Sequence, residues 1–147
     1  MEYNNDFRHD LKVGQQGEQV VAEILSGDTI EVKSEQDKND KNWTNTNNMF
    51  VETSSRDKPS GLSTTQAKWW IHNFYMGERL CFAKTILVRD LRRIAKKVHE
   101  EQSWRRVRGG DSNTSWGILV PIKEIDNPKN YVWIKRILKS YQFFQRK

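Results

Sequence analysis

The sequence predicts an α/β chain of the α+β kind: a mixed β-sheet flanked by helices, in the order αββαβ with a C-terminal α-β-α extension. Three observations carry this. Residues 13–25 place apolar side chains at helical spacing, residues 29–35 alternate with a period of two, and residues 80–88 form a short apolar run of strand length. The chain has 147 residues, with 35% hydrophobic residues and six Trp, six Phe and four Tyr. That length and aromatic content suit one domain with a hydrophobic core. Residues 1–147 are therefore read as a single domain, with its core at about 10–90 and a basic extension at about 90–147.

Each element has its own warrant. In the first helix, Val20, Val21, Ala22, Ile24 and Leu25 share an arc, and Glu18 lies on that face or at its edge. Gly27 is a stop. TIEVKSE follows as a strand with Ile30, Val32 and Ser34 on one face and Glu31, Lys33 and Glu35 on the other. After a polar loop, MFVETS (residues 49–54) reads as a second strand, an antiparallel hairpin partner of the first. Ser63 and Gln66 match a capping box, and Ala67, Trp70, Ile71 and Phe74 form the stripe of a helix ended by Gly77. LCFAKTILV suits a strand buried on both faces. Asp90 caps a helix with Leu91, Ile94, Ala95 and Val98 inward. A basic, glycine-containing loop (WRRVRGGDSNTSWG) leads to a short strand, ILVPI, and a last helix over about 131–145.

Composition excludes several classes. No apolar run reaches the twenty or so residues that span a bilayer, so no membrane partner is expected. The acidic N-terminus has no apolar stretch, so no signal peptide is expected. Cys81 is the only cysteine, which rules out intramolecular disulfides and points to a reducing, cytoplasmic setting. The net charge of +6 is uneven: residues 1–75 hold 8 Lys/Arg against 12 Asp/Glu, and residues 76–147 hold 17 against 7. A basic half suits a polyanion such as nucleic acid, and carboxylates in the other half suit a hard cation.

If TIEVKSE and MFVETS pair, Glu31 and Glu52 come close across the ladder, where like charges are unfavourable unless a cation lies between them. Lys33 shares the face of Glu31, and Glu18 points inward from the preceding helix. Mg²⁺ binds through carboxylate oxygens and water. Phosphodiester hydrolysis needs a metal to activate water and a cation such as lysine to stabilise charge. Glu35 and Asp37 are weaker candidates as metal ligands. His9, His72 and His99 have no metal-ligand spacing, and His72 reads as a packed residue.

With these residues in view, the chain resembles the PD-(D/E)xK nuclease superfamily. GQQGEQVVAEIL resembles its first core helix, matching Glu18, and IEVK resembles its acidic-x-Lys signature, matching Glu31 and Lys33. EVKSE…TNNMFVETSSRDKPSGLSTTQAKWW is similar to a phage and bacterial nuclease-like group. The resemblance implies a restriction-endonuclease-like core, a Mg²⁺ cofactor for which Mn²⁺ substitutes, and catalysis by Glu31, Lys33, Glu52 and Glu18. It also implies a bacterial or phage-infected cell. The chain departs from the pattern in lacking an Asp well before EVK and in placing Ser54 where lysine belongs. Two assignments follow. In one, Glu31 and Glu52 are the strand carboxylates and the lysine has moved to Lys33. In the other, Asp28, Glu31 and Lys33 form a compressed motif with Glu52 auxiliary. The first is favoured because Asp28 and Glu31, three apart, fall on opposite faces of a regular strand, and because the expected helix follows Glu52.

For the substrate, Arg92, Arg93, Lys96 and Lys97 line a helical face, and Arg105, Arg106 and Arg108 surround Trp104, which could stack on a base. Ser60 and Thr64 lie just before or at an expected helix N-terminus, a place suited to phosphate. The expected function is a Mg²⁺-dependent DNA endonuclease acting as a homodimer. The rival expectation is a nucleic-acid-binding protein on a nuclease scaffold that no longer cuts.

Overall fold

The computed structural model describes residues 29–37 and 46–131, together with residues 15, 18, 19, 21–24, 26 and 27. Asp28 and the expected last helix after Tyr131 lie outside the described residues. Residues 15, 18, 19 and 21–24 are helical, in agreement with the first expected helix. Gly27, at φ +111°, sits in the turn that follows. The arc expected to be apolar and inward is only partly covered, since Val21 is 55% exposed.

Two sheets follow, so the class is α+β with few helices. The first is three-stranded and mixed, in the order β1-β4-β5, with β1 Ile30–Asp37, β4 Trp69–Met76 and β5 Arg79–Leu87. β1 runs parallel to β4, and β4 antiparallel to β5. The second is antiparallel, in the order β3-β2-β7-β6, with β2 Asn48–Ser55, β3 Lys58–Pro59, β6 Arg106–Gly109 and β7 Ser115–Pro121. The helix α1, Val88–Glu101, and the short α2, Ile122–Ile125, complete the framework.

Three expectations are corrected here. The first concerns β1 and β2, which form no hairpin and belong to different sheets. A hairpin would have set Glu31 near Glu52. Pairing with β4 instead sets Lys33 beside His72 and Glu35 beside Phe74, which avoids a like-charge ladder.

The second concerns residues 63–77, where a helix was expected and β4 is found; the order αββαβ is therefore not observed. Ala67, Trp70, Ile71 and Phe74 satisfy helical spacing, but Trp70, His72 and Phe74 satisfy a period of two equally well. These three are 0%, 1% and 0% exposed. The run WWIHNFY is aromatic and β-branched, which suits a pleated surface. Ser63 ends a single 3₁₀ turn, Gly61–Ser63, rather than opening a helix.

The third concerns β5, which is an edge strand rather than one covered on both faces. Ile86 is its one buried residue.

Other elements follow the sequence. α1 buries Val88, Leu91, Ile94, Ala95 and Val98, the stripe its periodicity sets. Asp90 is buried in its first turn, where a carboxylate complements the helix dipole, while the cap position is Leu87. The core joins both sheets to α1 through Met49, Val51, Trp70, Phe74, Leu91, Ile94 and Val120. Each such side chain contributes about 1.5–3 kcal/mol on burial. No described helix is long and apolar enough to cross a membrane.

Candidate active site

The burial of β1 runs opposite to the usual pattern. Its apolar side faces out, with Ile30 38% and Val32 55% exposed. Its charged side faces in: Glu31, Lys33 and Glu35 are half-buried and Asp37 is buried. Charges are turned inward only where partners or ligands compensate them. The partners are visible. Lys33 Nζ lies 2.9 Å from Glu31 Oε1, and Thr65 Oγ1 donates to Glu31 Oε2 at 3.3 Å.

Glu35 is held from two elements. The backbone N–H of Phe50 in β2 donates to its Oε2 at 3.1 Å, so β1 is tied to the second sheet without a ladder. His72 Nε2 lies 2.8 Å from the same oxygen. Trp70 Nε1–H, always a donor, reaches His72 Nδ1 at 3.2 Å. Nδ1 must then accept, so the neutral ring carries its proton on Nε2 and donates it to Glu35. Sequence reading took His72 for a packed residue on a helix. It is packed, and the strand places it against a carboxylate. The period-two set Trp70, His72, Phe74 was the signal that could have found it.

Glu52 is placed by the segment after β3. Ser60 Oγ donates to Glu52 Oε1 at 2.5 Å. Gly61, at φ +53°, lies so close that a Cβ there would stand 2.5 Å from the Glu52 carbonyl oxygen. PSG, residues 59–61, is therefore a brace for Glu52, and Thr65 farther along the same segment braces Glu31. Arg92 fastens that segment to α1, donating from Nε to the Leu62 carbonyl at 3.1 Å and from Nη2 to the Thr65 carbonyl at 2.6 Å.

A bulge next to Glu52 decides the fate of Ser54. The β2–β7 register shifts between Glu52 and Ser54, and bulges re-aim side chains. In a regular strand the two would share a face. Here Glu52 lines one cavity, whereas Ser54 lines a different groove with Thr53, Asp57 and Arg106. Ser54 is thus turned away from the Glu52 cavity, and Lys33 is the lysine that lines it.

That cavity measures about 390 Å³. β1 and β4 contribute Lys33, Ser34, Glu35 and His72, and β2 contributes Phe50, Glu52 and Ser55. Arg56 in the β2–β3 turn, with Gly110, Thr114 and Ser115, completes the lining. Gly117 makes room for Phe50: a Cβ there would stand 2.6 Å from the Phe50 ring. The oxygen donors suit a hard cation rather than zinc. Among the described residues no three His, Cys, Asp or Glu side chains form a metal-holding group. Two carboxylates, Glu35 and Glu52, do line the one cavity, and one or two suffice for Mg²⁺ when substrate phosphate and water complete its shell. Glu18 is exposed, and among the described residues no hydrogen bond or ion pair joins it to Glu31 or Glu52. Asp37 is buried at the end of β1 and is not among the cavity residues.

The basic candidates have structural partners. Arg93 donates to the Asn130 carbonyl and to Asp90. Lys97 reaches Glu124 Oε2 and Asn130 Oδ1, both at 3.2 Å. Asn130, then Lys97, holds the Glu124 carboxyl below the ordinary carboxylate value, and burial with nearby Asp90 pushes the Tyr131 hydroxyl up. Lys96 lies 3.7 Å from Glu100. Arg105 donates to Asn48 and to the Leu119 carbonyl, at the end of the β2–β7 ladder opposite Ser55 and Ser115. Trp104 is 65% exposed with Arg105 over its ring, and Arg106 and Arg108 both lie over Trp116. Thr64 closes the 3₁₀ turn, its N–H donating to the Gly61 carbonyl. No protein-family model, curated protein or solved structure matches the chain.

The His72 chain gives a direct test. His72→Phe keeps a flat ring of similar size but leaves Trp70 Nε1 without an acceptor and removes a donor from Glu35. The expected loss is about 2–4 kcal/mol in urea unfolding at neutral pH. A change below about 1 kcal/mol would mean that this hydrogen-bond chain does not stabilise the site.

Proposed function

We propose that the protein is a metal-dependent nuclease that hydrolyses phosphodiester bonds of DNA. One observation carries the reading: Lys33 and Glu35 from one sheet and Glu52 from the other line a single cavity, toward which β1 turns its charged face. Glu52 and Glu35 would hold the metal, while Glu31, which is not among the cavity residues, pairs with Lys33. When bound there, Mg²⁺ or Mn²⁺ supplies neutralisation of the phosphate and an activated water. The chain's own residues do the rest. Lys33, paired to Glu31 at the cavity, places its ammonium where it can meet a phosphoryl oxygen. Ser60 keeps the Glu52 carboxylate oriented, and His72 does the same for Glu35. A single site cuts one strand, so cleavage of both strands calls for two copies of the chain.

A non-cleaving nucleic-acid-binding protein is the second reading, favoured by the lack of a three-ligand cluster among the described residues. A substrate panel separates the two. Single strands, duplex, a four-way junction and RNA are incubated with Mg²⁺, with Mn²⁺ and with EDTA. Cleavage of any of them that EDTA stops supports the nuclease. Binding without cleavage supports the second reading, and neither binding nor cleavage at low salt overturns both.

A further inference from the structure

We propose that the tip of the β2–β3 hairpin is a second phosphate subsite, in which Arg56, with Ser55 and Thr114, holds the backbone phosphate next to the one undergoing cleavage. The inference rests on the nuclease reading and extends it to how the strand is gripped.

The cavity poses a charge problem. Glu35 and Glu52 repel a phosphodiester, and Lys33, the one lysine lining the cavity, has its charge offset by Glu31 at 2.9 Å. A polyanion entering here needs another cation. Arg56 lines the same cavity and is exposed. Its guanidinium has no hydrogen bond or ion pair with any described residue. Arg92 is occupied by the Leu62 and Thr65 carbonyls, Arg93 by Asp90 and Asn130, and Arg105 by Asn48 and Leu119, while Arg106 and Arg108 lie over the Trp116 ring and are not among the cavity residues.

The backbone at Arg56 points the same way. Arg56 and Asp57 are the two central residues of the hairpin turn between Ser55 and Lys58. Their φ values are +49° and +60°, the left-handed pair of a type I′ turn. Asn and Gly are the residues such a turn favours, and a long side chain is disfavoured there. Backbone conformations of this kind cluster at functional sites. The tip is also fixed in place. The Arg56 N–H donates to the Thr114 carbonyl at 2.9 Å, which joins the hairpin to the loop before β7. Ser55 and Thr114 line the same cavity. A guanidinium carried on this anchored turn at the rim of the cavity can grip a phosphate through two parallel N–H donors.

The test exploits the turn. Arg56→Asn and Arg56→Gly suit the left-handed conformation, so Tm is expected to hold or rise. Binding of a fluorescent single-stranded DNA oligonucleotide, and of its duplex, is measured by anisotropy in EDTA over a range of salt. Both variants are expected to bind about tenfold more weakly than wild type, and the slope of log K against log salt should fall by about one. Arg56→Lys should restore the slope but not the full affinity, because ammonium lacks the planar fork. Affinity and slope unchanged in the Asn and Gly variants would overturn the subsite and leave the nuclease reading standing. So would a loss of Tm that accounts for the weaker binding. If wild type binds neither DNA nor RNA at low salt, the nuclease reading itself falls, and the subsite with it.

Discussion

Glu52→Gln is expected to lower metal-dependent strand cleavage by at least about 10²–10³-fold while leaving the fold and nucleic-acid binding intact. Gln has the shape of Glu, and its amide oxygen can still accept from Ser60 Oγ, so the brace of residues 59–61 survives. The variant loses one negative charge at a position where two carboxylates share a cavity. Removing that charge weakens the hold on a divalent cation but reduces repulsion of phosphate, so DNA affinity in EDTA should be unchanged or slightly higher. Single-turnover nicking of supercoiled plasmid at saturating Mg²⁺ gives the rate, and thermal unfolding with and without Mn²⁺ gives metal binding separately. A rate within about tenfold of wild type would remove Glu52 from the catalytic set. The parallel variant Glu18→Gln discriminates between arrangements. Glu18 is exposed, and its substitution is expected to leave the rate within about twofold of wild type.

Gly61→Ala is the substitution with the largest expected effect on stability, at about 2–5 kcal/mol. Two costs add. Gly61 holds φ +53°, a left-handed conformation that costs an L-residue about 1–2 kcal/mol. The new methyl would also meet the Glu52 carbonyl oxygen at 2.5 Å and the Glu52 Cβ at 3.0 Å, an overlap that adds about 1–3 kcal/mol. The contact is with backbone and with a Cβ, so no flexible side-chain end can move aside. Relief requires the 59–65 segment to lift from β2, which would draw Ser60 from Glu52 and strain the Arg92 contacts at Leu62 and Thr65. Stability and site geometry should therefore fail together. Urea unfolding measures the first, and the nicking rate measured well below the unfolding midpoint reports the second. A Gly61→Ala protein as stable as wild type would show that this segment does not brace Glu52 as described.

Two features of the fold follow from local pattern alone. The alternation in TIEVKSE fixes which side chains share a face, because successive residues of any strand point opposite ways. It put Glu31, Lys33 and Glu35 together before any partner strand was known. The stripe Leu91, Ile94, Ala95 and Val98 predicted α1 for the same kind of reason, since a long amphipathic pattern admits one period. Where two periods fitted the same residues, as in Ala67 to Phe74, the pattern alone could not choose. Side-by-side pairing with β1 decided for a strand.

Residue types and their local periodicity thus determined a charged face on β1, an acidic residue in β2, a basic second half and an amphipathic helix. Tertiary structure alone decided what those parts face. Whether the charged side of β1 points to water or inward depends on which strand pairs with it, and β4 lies over thirty residues away in sequence. Whether Ser54 shares the face of Glu52 depends on a bulge set by the register with β7. Whether Arg92 is idle or occupied depends on carbonyls of the 61–65 turn packing under α1. These are contacts between segments distant in the chain, chosen by the joint burial of two sheets and a helix. No window of sequence holds all the groups whose packing and hydrogen bonds settle that choice.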